Sequence, residues 1–191
     1  RMDDVDAMLY LDYGRNPGEW TPNIYGTNEN LDALEFLKHL NSVIKERNPG
    51  LLLVAQENGL WPELTDSVEN DHLGFDYKWS GGWTKDLLSY LEAEPLDRRN
   101  YYDQLTLSMM YAYSEHFVLV LSHDEVVHLK CSMLGKMPGD RESKFANLKL
   151  AYAYMCGHPG KKLLFMGQEF AQWNEWSEER ALDWYLLDDP S

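Results

Sequence analysis

The octapeptide Leu121-Ser122-His123-Asp124-Glu125-Val126-Val127-His128 concentrates groups that can carry charge or move protons. It follows Phe117-Val118-Leu119-Val120-Leu121, an apolar run that reads as a buried strand. At the carboxyl ends of strands in a parallel sheet, loops converge on one substrate, so that edge is where chemistry collects. Two other apolar runs end in the same way. Asp3 lies in Arg1-Met2-Asp3-Asp4-Val5, and Gln56 and Glu57 follow Leu51-Leu52-Leu53-Val54-Ala55. Acidic or acid-shaped groups at three strand exits point to carboxylate chemistry on a neutral, polar substrate.

The elements that must position these groups alternate between strand and helix. A Gly/Pro/Asn-rich loop over residues 14–29 leads to Asn30, a helix cap, with Asp32 in the first turn. Leu34, Leu37, Leu40 and Ile44 make an apolar stripe at helical spacing, and Asn48-Pro49-Gly50 ends it. The strand at 51–55 begins at once, a strand–helix–strand unit with short turns that predicts parallel pairing. A polar loop is expected over 58–82, helices over 84–91, 103–113 and 142–156, and strands over 117–121 and 161–166. The last strand exits into Gly167-Gln168-Glu169-Phe170. The glycine turn of a dinucleotide fold is missing. Strands alternating with helices, with polar residues at each exit, favour an α/β barrel of which only four or five strands can be placed. A complete barrel needs roughly 250 residues.

Composition narrows the partners. With 191 residues and 44% hydrophobic content the chain can bury one sizeable core. A net charge of −15 argues against nucleic acid and against an anionic membrane surface, and no apolar run approaches the roughly 20 residues of a membrane span. The two cysteines, Cys131 and Cys156, form neither a metal spacing nor a disulfide framework, which fits a reducing, cytoplasmic setting. His123 and His128 lie five apart, about 140° around a helix, unlike the i, i+4 pair of a zinc protease, so neither a metal nor any cofactor is expected. Seven Trp and twelve Tyr are present; Trp20, Trp61, Trp83, Trp173 and Trp176 fall in expected loops. Such rings can stack on sugars, but plugging the ends of the core is the commoner use.

Taken in order, several segments resemble the catalytic domain of bacterial 1,4-α-glucan (glycogen) branching enzymes of the α-amylase superfamily. They are Arg1-Met2-Asp3, Gly18-Glu19-Trp20, Leu121 through His128, Met137-Pro138-Gly139-Asp140, Lys144 through Leu148, Met166 through Gln172, Glu175-Trp176 and Leu182-Asp183-Trp184. The resemblance implies a partial (β/α)8 TIM barrel, roughly strands four to eight. Residues 1–191 would be the C-terminal half of the catalytic barrel, without the first half, the N-terminal carbohydrate-binding module and the C-terminal β-domain. It implies a retaining double displacement on α-1,4-glucan or glycogen, with transfer to a 6-hydroxyl. Asp3 matches the nucleophile and Asp124 the transition-state stabiliser; Arg1, His123 and Glu57 are the expected substrate-binding residues. Such a piece alone should be inactive, and its open barrel edge would invite self-association.

The pattern breaks at the general acid/base, a Glu in the family and Gln56 here. An amide resembles the protonated acid in shape but cannot exchange its proton. Side chains alternate along a strand, so Glu57 should face away from Gln56 unless a bulge turns it inward. Asp4 and Asp6 add negative charge beside Asp3. The chain is thus either a weakened paralogue or an inactivated variant. A hydrolase of the superfamily and a non-catalytic glucan-binding protein remain as alternatives.

Overall fold

The computed structural model describes residues 1–59 and 61–189. The fold is α/β. Its four strands, β1 (Val54–Gln56), β2 (Tyr77–Ser80), β3 (Phe117–Leu121) and β4 (Lys161–Leu164), form one sheet in that order. β1 and β2 run parallel, with Val54 opposite Tyr77, Ala55 opposite Lys78 and Gln56 opposite Trp79. Contacts divide the chain into two compact units: residues 1–81 with 113–118, and residues 82–112 with those from Leu119 onward.

In the first unit, the opening segment is less of a strand than the sequence suggests. Met2 forms a parallel bridge to Ala55, donating to the Val54 carbonyl and accepting from the Gln56 amide. Asp4 then turns left-handed (φ 46°), a region aspartate tolerates better than most side chains, and helix α1 (Val5–Leu9) begins. The apolar run Met8-Leu9-Tyr10, which by residue type alone would read as more strand, is therefore a helix end. Asp6 anchors it: both carboxylate oxygens accept from the Asn58 amide at 3.1 Å.

Helix α2 (Leu31–Arg47) forms where the capping and periodicity predict it. The Asn30 side chain accepts from Ala33 N, Asp32 sits in the first turn, and Lys45 and Arg47 in the last complement the helix dipole. Its buried residues, Leu37 and Asn41, face a core of Val5, Leu9, Ala55, Leu64, Leu73 and Phe75. Asn41 donates to the Leu73 carbonyl at 2.8 Å, which settles one polar group inside that core. Strand β1 is shorter than the apolar run: Leu51 and Leu52 are exposed, and the Leu53 amide donates to the Asp76 carboxylate rather than to a ladder.

The region read as a loop over 58–82 contains β2. Glu115 fixes the segment before it, accepting from the Leu64 amide and from both the amide and hydroxyl of Thr65.

The second unit carries α3 (Gly81–Glu92, from its second residue), α4 (Tyr102–Tyr111), the end of β3, α5 (Met133–Lys136) and α6 (Arg141–Gly157). Asp140 caps α6 by accepting from Ser143 N at 2.9 Å. Trp83, expected in a loop, lies buried in α3 and stacks on Tyr154 at 6.3 Å. Beneath it Ser108, His158 and Tyr154 share hydrogen bonds that tie α4 to α6. Strand β4 stops at Leu164, two residues short of the prediction. Among the described residues, no helix is long and apolar enough to cross a membrane.

Candidate active site

The Met2–Ala55 bridge fixes what stands beside what. One step along each segment places Asp3 next to Gln56, and the β1–β2 register places Gln56 next to Trp79. Paired residues of a parallel sheet project to the same side, so these three form one row. Arg1, two residues before Asp3, shares that side. Its guanidinium forks the Asp3 carboxylate, Nε to Oδ1 at 2.6 Å and Nη2 to Oδ2 at 3.0 Å. It also lies over the Trp79 ring, 4.2 Å from the centroid. Asp3 itself is well exposed, open to a reactant. Gln56 is half-buried, and among the described residues its side-chain amide makes no hydrogen bond.

The opposite side of the same strands holds Met2, Ala55, Lys78 and Glu57. Alternation along β1 thus turns Glu57 away from Gln56, as the strand period predicts, and no bulge reverses it. Glu57 has no exposed side-chain surface and meets Lys78 Nζ at 2.5 Å, itself 10% exposed. Burial, set against the lysine, pushes its carboxyl above the usual 4.5, and the nearby Asp6 adds to the rise. The expectation that Glu57 contacts substrate is therefore corrected: burial leaves it no surface to offer a sugar.

The second unit presents its own cluster. Ser122 caps the turn His123–Glu125, accepting from Asp124 N at 3.2 Å, while Glu125 reaches back to accept from the Ser122 amide and hydroxyl. Glu125 is spent on this reciprocal cap. His123 and Asp124 are left 41% and 46% exposed, with Nε2 and Oδ1 3.3 Å apart. Phe165 supports the His123 ring at 5.8 Å and is itself packed on Trp176. Gln168, buried, donates to the Ser122 carbonyl at 3.4 Å, and Lys130 donates to the Asp124 carbonyl at 2.7 Å. The sequence reading missed Phe165 and Gln168 as supports; their place at the exit of β4 was the available signal. Replacing Ser122 by Ala should cost about 1 kcal/mol locally and speed amide exchange over 123–126 by roughly fivefold. Unchanged exchange there would mean the cap is not what holds the turn.

Of the loop tryptophans, Trp61 packs edge-on against Tyr10, Trp173 against Phe145 and Trp176 against Phe165, so these three close core ends. Trp20 instead lines an open cleft of about 400 Å³ with Asp12, Arg15, Pro17 and Pro22.

Comparison with known proteins places this arrangement. The chain is 54% identical, over 190 of its 191 residues, to the 1,4-alpha-glucan branching enzyme GlgB of Chlamydia caviae. It is 57% identical over 98% of its length to 1,4-alpha-glucan branching enzyme GlgB 1 of Rhizobium johnstonii, and 54% identical over 98% to the GlgB of Pseudomonas aeruginosa. Over its length the chain is thus similar to one segment of 1,4-alpha-glucan branching enzymes. It covers 26%, 25% and 26% of those three proteins, so it spans about a quarter of the length of the curated relatives it matches. No family model matches it. Within the chain, Arg1, Asp3 and Gln56 are gathered in one unit and His123 and Asp124 in the other.

Proposed function

We propose that this segment is the second half, strands four to eight, of the catalytic (β/α)8 barrel of a 1,4-α-glucan branching enzyme, with its general acid/base disarmed. Flanking carbohydrate-binding and β-domains would belong to the longer protein. The substrate is a linear α-1,4-glucan in the cytoplasm, and the product carries an α-1,6 branch. Alone, the segment is inactive and associates with itself through an open edge of its sheet.

The observation that carries this reading is the register of Asp3 beside Gln56. Adjacent strands lie about 4.8 Å apart, and retaining glycosidases hold nucleophile and acid about 5–5.5 Å apart. In the first step an Asp3 oxygen bonds to the anomeric carbon as the C1–O4 bond breaks. Arg1, forking Asp3, aims the carboxylate. In the other unit, Asp124 and His123, both partly exposed, match by resemblance the family's transition-state stabiliser and its substrate-binding neighbour. In the second step an acceptor 6-hydroxyl displaces Asp3 from C1 with net retention. Both steps need a proton moved at the position of Gln56. An amide can offer a hydrogen bond to the leaving oxygen but cannot give up its proton and recover one.

Asp3→Asn in the full-length protein, in a background with Gln56→Glu, should abolish glucan processing to below about one part in 10⁴ of that background, since a nucleophile removed from a working set costs that much or more. The product assay is loss of iodine staining against new reducing ends. Staining lost without matching reducing ends marks branching. Equal rises would make the enzyme a hydrolase, and activity surviving in Asp3→Asn would end this assignment.

A further inference from the structure

The nucleophile's arginine is held by something the proposed chemistry does not require to touch substrate. Arg1 carries its guanidinium on a flexible stem whose ordering costs up to about 2 kcal/mol of rotamer freedom. Its guanidinium nonetheless serves two partners, the Asp3 carboxylate through both nitrogens and the flat face of Trp79. To do so it reaches across β1, the strand that carries Gln56, to a residue in register with Gln56 on β2. Trp79 is itself buried. It is 9% exposed, and its chain neighbour Lys78 is clamped on the opposite side of the sheet by Glu57.

We propose that Trp79 is a positioning residue: its ring fixes Arg1, and Arg1 in turn fixes the rotamer of the Asp3 carboxylate at the angle of attack. The proposal rests on reading Asp3 as the nucleophile. A guanidinium stacked on an indole face is stabilised by roughly 0.5–2 kcal/mol, more where water is excluded. Without the ring, Arg1 still carries its charge but samples several rotamers, and the fork on Asp3 is populated only part of the time. A misaimed nucleophile lowers the rate of the bond-forming step without changing how tightly glucan is held. The buried Lys78–Glu57 pair gains a purpose here, because it holds β2 in the register that puts the ring under the guanidinium.

The test is a double-variant cycle in the full-length enzyme with Gln56→Glu, so that turnover is measurable. Trp79→Leu should lower kcat about tenfold with KM within twofold, while Trp79→Phe, which keeps a π face, should retain most of it. Arg1→Lys, keeping the charge but losing the fork and the flat stack, should also lose about tenfold. The double variant Arg1→Lys/Trp79→Leu should fall no further than the worse single, since both act through one contact. Losses that multiply, or a Trp79→Leu enzyme with unchanged kcat, would overturn the positioning role. If Trp79→Leu fails to fold, Arg1→Lys decides alone: an undiminished kcat in that variant sinks the proposal. Asp3→Asn run alongside separates the two readings, because activity surviving there rejects the nucleophile itself, whatever Trp79 does.

Discussion

On the proposed reading, Gln56→Glu in the full-length protein should raise branch formation by about 10²–10⁴-fold, the usual contribution of a positioned general acid/base. The position is ready to receive the acid. Gln56 ends β1, is half-buried, and projects on the side of Asp3, its side chain without a partner among the described residues. Glutamine and protonated glutamate have nearly the same shape, so the substitution introduces no clash. Once present, the carboxyl lies next to the negative Asp3, and a like charge nearby favours its protonated form, which the first step requires. Formation of the glycosyl–enzyme bond then removes the negative charge of Asp3, and the same group becomes a better base for the incoming 6-hydroxyl. Glu57 is one residue away but occupies the other face, sealed against Lys78. Glu57→Gln should therefore leave the rate gain from Gln56→Glu intact, apart from any loss of folded protein. The opposite pattern, no gain from Gln56→Glu and full loss with Glu57→Gln, would mean that the acid has been misplaced.

Lys78→Met should destabilise the β1–β2 region by about 3–5 kcal/mol, because removing one partner of a buried ion pair strands the other charge. Glu57 would keep the influences that raise its pKa, burial and Asp6, and lose the lysine that opposes them. The sign of the pH dependence follows. A carboxyl whose folded pKa lies above its unfolded value binds protons better when folded, so stability falls as pH rises from about the ordinary 4.5 through the raised value. The Lys78→Met defect should accordingly be smallest near pH 4 and largest above neutrality. Hydrogen exchange of β1 and β2 amides across this range measures it. Replacing both residues by apolar ones of similar volume should restore much of the loss, since a paired buried charge contributes little net stability. A defect that is flat with pH would show that Glu57 is not the group left unpaired.

Local sequence signals were sufficient wherever the physics is local. Asn30 marks its helix because an unpaired helix N-terminus needs an acceptor within a few residues, and its side chain supplies one. Phe117–Leu121 is a strand with the predicted bounds because a five-residue apolar run before a polar turn has few other ways to be buried. Period-two alternation alone predicted that Gln56 and Glu57 would part company. Where a backbone choice depends on distant partners, the reading failed. Leu51 and Leu52 look like strand but are exposed, since Leu53 pairs with Asp76 instead of a ladder. Met8-Leu9-Tyr10 looks like strand but ends a helix, because Asp6 is held by Asn58, fifty-two residues along the chain.

What the sequence by itself determined is the chemistry on offer: acids at strand exits, an amide where an acid is expected, and the order of strands and helices that carries them. Only the tertiary structure decided the pairings. β2 was invisible because a lysine inside a strand argues against burial until its glutamate is found 21 residues away on the neighbouring strand. Glu125 looked as reactive as Asp124 until it was seen closing the cap on Ser122. Residue type and period are properties of a few neighbouring side chains, whereas register, ion-pair partners and the ring beneath Arg1 are set by long-range contacts that no short window contains.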